Sequence, residues 1–141
     1  MEDYVLEKRP FAGNNFTGVM LYRGISKSRD NLPIVAKRHK FTTLEGPEMS
    51  RRLNAAMNAG MAQARVDHQH SCKIIAMHLD VSKAPNTYYL YHILEGMEGD
   101  MRMEINQRKE ENRPYSEVEL WDFLVQVTSA LAFAHKKVRN T

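Results

Sequence analysis

Apolar residues recur along this chain at two different periods, and the switch between them outlines its elements. Up to residue 41 the apolar residues come in short strand-like runs: Tyr4-Val5-Leu6, then Phe16 to Tyr22, then Pro33 to Phe41. The gaps are Ala12-Gly13-Asn14-Asn15 and Lys27 to Leu32. Gly and Asn accept positive φ at little cost, so the first gap predicts a hairpin tip and the order predicts three antiparallel strands in sequence. Pro33 stands first in the third strand, where a missing N–H matters least.

From Gly46-Pro47-Glu48 the period lengthens. Met49, Leu53, Met57, Met61 and Ala64 fall on one face of a helix predicted to run from Pro47 to near Asp67, with proline in its first turn and an acid at its positive end. Gly60 inside it costs about 1 kcal/mol relative to Ala, so packing rather than propensity must hold the helix. Alternation at period two then follows. Ile75, Met77, Leu79 and Val81 alternate with Ala76, His78 and Asp80, and Ala84-Pro85-Asn86 turns the chain into Tyr88 to Leu94. The first 94 residues therefore predict five antiparallel strands and one helix.

Glu95 to Gly99 is a short connector, after which every segment has helical spacing. Asp100 to Arg108 forms a short amphipathic helix, and Lys109 to Pro114 a polar loop. Ser116 and Glu119 make a capping box for a long helix with Leu120, Phe123, Leu124, Val127, Leu131 and Ala134 on one face. Trp121, Val125 and Ala132 add a second apolar face, which calls for a larger helical layer around it, and the sequence reaches Thr141 without supplying one. The predicted class is α+β.

Composition narrows the partners. At 141 residues and 43% hydrophobic content the chain can bury one core. Its 20 Lys and Arg are interspersed with 17 Asp and Glu, a weak case for nucleic acid, whose backbone requires cations concentrated on one face, so no nucleic-acid partner is expected. No apolar run approaches the ~20 residues of a membrane helix. Cys72 is the single cysteine and the N-terminus lacks the marks of a secretory signal, so a cytoplasmic or nuclear setting is expected.

Two stretches carry candidate chemistry. Lys37 ends the apolar part of a β-branched run, and a strand ammonium of this kind either snorkels to water or meets a carboxylate or phosphate. His68, His70 and Cys72 would share one side of an extended segment, a donor set suited to Zn²⁺, but the simpler reading is a polar connector and no metal is expected.

In order and in residues the chain resembles the N-terminal part of a eukaryotic protein kinase domain of the serine/threonine type. Val35-Ala36-Lys37 is similar to that family's V-A-x-K strand, with valine for its alanine. Tyr4 to Val19 is similar to its phosphate-covering hairpin, and Glu98-Gly99-Asp100-Met101 to the start of its C-terminal lobe. Leu131 to His135 is similar to the end of the helix before its catalytic loop.

The resemblance implies an N-lobe over residues 1–94, a hinge over 95–99 and the beginning of a truncated helical C-lobe over 100–141. It implies ATP as cofactor, with Lys37 on the phosphates and Ala12, Gly13, Asn14, Asn15, Phe16 and Thr17 over them. Adenine would lie between Val19 and Val35 on one side and a connector of Ile93, Leu94, Glu95 and Met97 on the other, with His92 or Ile93 guarding the back. A parent protein would transfer phosphate from Mg-ATP to a protein hydroxyl, its partners being the nucleotide and a protein substrate.

The departures are specific. Ala12, Asn14 and Thr17 occupy the family's three glycine positions, and the helix lacks the glutamate that pairs with the strand lysine, Gln63 being the nearest polar substitute. Neither H-R-D nor D-F-G occurs in these residues, so the chain as it stands is expected to bind nucleotide at most. The alternative is a non-catalytic, pseudokinase-like module that binds another protein.

Overall fold

An antiparallel sheet forms over the strand-like stretches of the first 95 residues. The computed structural model describes residues 1–139, the side chain of Val138 excepted, so Asn140 and Thr141 at the end of the expected helical segment lie outside it. The strands are β1 (Tyr4–Leu6), β2 (Ala12–Asn14), β3 (Val19–Ser26), β4 (Leu32–Thr42), β5 (Ile74–Asp80) and β6 (Thr87–Glu95). Five follow the order β1-β3-β4-β6-β5, and β2 pairs with β3 off this path. With the helices α1 (Pro47–Ala64), α2 (Met101–Glu110) and α3 (Glu117–Arg139) the protein is α+β.

The first hairpin differs from expectation. Ala12 to Asn14 is a strand rather than the tip, and Phe16 belongs to the turn rather than to the strand, which begins at Val19. Local hydrogen bonds set the boundary: the Phe16 N–H donates to the Asn14 side chain at 2.8 Å, and the Gly18 N–H to the Asn14 carbonyl at 3.0 Å. Gly18, at φ 72°, closes the turn in the left-handed region that glycine favours.

Strand alternation sorts the core into two faces. Ile34 and Ala36 of β4 cluster with Ile93 of β6, against Tyr4, Leu6 and Tyr22. On the opposite face Val35, Ile74 and Leu94 cluster, with Phe11, Leu21, Cys72 and Met77 packed against them. A β-bulge between Ile74 and Ala76 departs from the expected alternation of β5. It places Ile74 in one cluster and Ile75 against the other, and Val81 falls beyond the strand end, exposed.

Helix α1 begins at Pro47 as expected and stops at Ala64. Its buried residue is Gly60, while Met61 is 43% exposed and Ala64 also faces out. The inward stripe therefore runs through Leu53, Ala56, Met57, Gly60 and Gln63, rotated from the predicted one. The cause is close approach: a Cβ on Gly60 would meet the Met77 sulfur and the His92 ring.

Two compact units result, residues 1–65 with 72–96, and residues 66–71 with 97–139. In the second, Asp100 caps α2 by accepting the Met103 N–H, and the Ser116–Glu119 capping box forms as expected at the start of α3. Arg108 is buried, donates two bonds to Glu119 and one to Glu104, and lies 4.0 Å from the centre of the Tyr115 ring. The apolar second face of α3 is exposed, Trp121 at 61%. Among the described residues, no helix is long and apolar enough to cross a membrane.

Candidate functional site

The site is built on the face of the sheet that α1 packs against. Register places Leu21 of β3, Lys37 of β4, His92 of β6 and Met77 of β5 in one row across four strands. The row beside it holds Arg23, Val35, Leu94 and Ile74, and the row on the other side pairs Val19 with His39 and His39 with Leu90. Lys37 thus shares its face with Val19, Val35 and Leu94 because all four stand at one parity of paired strands.

Ile93 falls on the opposite parity, fully buried with Ile34 and Ala36, so the residue beside Lys37 is His92. Glu95 completes β6, and its carboxylate accepts the Lys73 N–H at 2.9 Å. Met97 belongs to the second unit. Ala12, Gly13 and Asn14 lie on β2, while Asn15, Phe16 and Thr17 form the exposed turn, Phe16 at 98%.

Lys37 forms no ion pair with any described carboxylate. Gln63 does not substitute for the missing glutamate, because its side-chain amide donates to the Cys72 carbonyl at 3.0 Å. Where α1 crosses the row it offers Gly60, over Met77 and His92, and no acid. The neighbours of Lys37 on this face are instead two imidazoles, His39 and His92, with ring centres 4.8 Å apart.

Both imidazoles are pushed toward the neutral form. Burial, then the neighbouring His92, Lys37 and Arg52, push the His39 pKa down to about 4. Burial and Lys37 also lower that of His92, opposed by a hydrogen bond to the backbone of Ala56. The Nε2 atoms of both rings are buried without a hydrogen-bond partner. Burial, reinforced by Glu95, raises the Cys72 thiol.

A second arrangement ties α1 to the turn. Arg52 pairs with Glu45, lies 5.2 Å from the centre of the Phe41 ring, and donates to the Thr17 carbonyl at 3.4 Å. Glu45 in turn accepts the Thr42 N–H at 2.9 Å.

Among the described residues, no group of three or more His, Cys, Asp or Glu is placed to hold a metal ion. His68 contacts the Ser129 hydroxyl through Nε2 at 3.1 Å and accepts the His70 N–H on Nδ1 at 3.1 Å, while Cys72 belongs to the sheet unit. Periodicity gave no sign of the His39–His92 proximity or of Arg52, since both depend on pairings remote in sequence. No protein-family model matches the chain, and no curated protein matches it in sequence.

Proposed function

We propose that the sheet unit is a nucleotide-binding lobe of the protein-kinase kind, with Lys37 taking the phosphates of ATP. The observation that carries this reading is an ammonium on the central strand, without an ion pair to any described carboxylate, on one face with Val19, Val35 and Leu94. A half-buried cation with no described carboxylate partner is stabilised by an anion, and the strand beside it leads directly from the 14–18 turn. The base packs against Val19, Val35 and Leu94, and the turn covers the phosphates. In a protein that also carries H-R-D and D-F-G, the reaction is transfer of the γ-phosphoryl group to a serine or threonine hydroxyl of a protein substrate.

One observation favours a second reading, a non-catalytic kinase-like module that binds a protein. The Phe16 and Gly18 N–H groups, which would otherwise be available to phosphate oxygens, are spent on Asn14 within the turn. Thermal denaturation of the full chain in millimolar Mg-ATP separates the two. A ligand at 100 times its Kd stabilises a fold by about 2.7 kcal/mol, so a nucleotide site raises Tm in the wild type and raises it less in Lys37→Met. An unmoved wild-type Tm rejects the nucleotide site and leaves the interaction module.

A further inference from the structure

Helix α3 carries an apolar seam that its own unit leaves in water. Leu120, Leu124, Val127 and Leu131 are each between 37% and 50% exposed. Together with Ala134 they step by four and three residues, the 3.5-residue repeat with which one helix packs along another. Trp121 and Phe123 flank this seam, 61% and 41% exposed. The rest of the unit is fixed on other sides of α3, through the bonds of Arg108 to Glu119 and of His68 to Ser129. Scattered exposed apolar residues need no explanation, whereas a continuous stripe along a 23-residue helix, about 35 Å at 1.5 Å per residue, marks an interaction surface.

The charges of α3 select what covers the seam. Its acids, Glu117, Glu119 and Asp122, stand at its start, its bases, Lys136, Lys137 and Arg139, at its end, and residues 123–134 between them carry no charged side chain. All six charged residues are exposed, Glu119 while bonded to Arg108 and Asp122 while bonded to Gln126. A parallel pair of such helices would set like charges together at both ends and align the two helix dipoles. An antiparallel pair sets the acidic end of each against the basic end of the other and opposes the dipoles. The chain is therefore complementary to a second copy of itself, in apolar spacing along the seam and in charge at its two ends.

We propose that two copies of this chain pair antiparallel through the 120–134 seam of α3, an association independent of any nucleotide on the sheet unit. Sedimentation equilibrium of the full chain should give a mass of twice 16.3 kDa that dissociates on dilution. Val127→Glu places two carboxylates near the middle of the pair and should weaken it at least about tenfold. Lys137→Glu, at the exposed basic end, should weaken it less, and the loss should shrink in high salt. Orientation is read from nitroxide labels placed singly at Thr128→Cys or Lys136→Cys in the Cys72→Ser chain. In an antiparallel pair the distance between copies is short at residue 128 and about 25 Å longer at residue 136. A monomer at every concentration, growth beyond the dimer, an association that Val127→Glu leaves untouched, or equal distances from the two labels overturns the proposal.

Discussion

Gly60 of α1 rests directly on His92 of β6: a Cβ at residue 60 would come 3.0 Å from the imidazole Nε2. The helix is seated on the sheet at the one residue whose propensity opposes a helix. Gly60→Ala gains about 1 kcal/mol of helix propensity but meets overpacking of about 1–3 kcal/mol against His92 and the Met77 sulfur. A net loss of stability on the order of 1 kcal/mol is expected, larger for Gly60→Val, and urea denaturation of both variants measures it.

The lowered imidazole pKa values of His39 and His92 make the sheet unit acid-sensitive. His39 has a folded pKa of about 4, below the ordinary 6.5, so the unfolded chain binds a proton first as pH falls. Stability is then full above about pH 6.5 and declines down to about pH 4, with His92 adding in the same direction. His39→Gln should flatten this stretch of a Tm-against-pH profile, and an unchanged slope would count against His39 as its source.

Lys37 is the second cause of the depressed His92 pKa, after burial. Lys37→Met removes that charge and leaves the burial. Imidazole titration by NMR should show the His92 midpoint moving upward, with His39 following to a smaller extent because Lys37 ranks third among its causes.

In the helical unit, bonds from Arg108 and the Ser116 backbone hold the Glu119 carboxyl near a pKa of about 2. Its contribution to stability is present above the ordinary carboxylate pKa, near 4.5, and is lost as pH falls toward about 2. Arg108→Met should return the Glu119 carboxyl ¹³C midpoint toward the ordinary range, while the Ser116 N–H keeps it somewhat low.

Much of this fold is legible in the sequence because most of its elements carry their own signals. The β-branched run at Ile34-Val35, the Pro47 helix start and the Ser116–Glu119 capping box each depend on neighbouring residues, and each forms where the pattern puts it. The misses arise where a small residue or a bulge resets the pattern. Ala56 and Gly60 weigh little in a hydrophobic period, yet they line the seat of α1 while Met61 is turned out. At Ile74–Ala76 a single irregularity changes the parity of β5. Lys37 stands out in the sequence as a cation within an apolar run, whereas its imidazole neighbours depend on the β4–β6 register, which no local window contains.

The Arg52 contacts give the sheet unit a mechanical property. One guanidinium, carried by α1, grips the Glu45 carboxylate, covers Phe41 and reaches the Thr17 carbonyl in the 14–18 turn. Helix and turn thereby share one side chain. Removing that one side chain therefore takes away three contacts at once, one of them the tie between the helix and the turn.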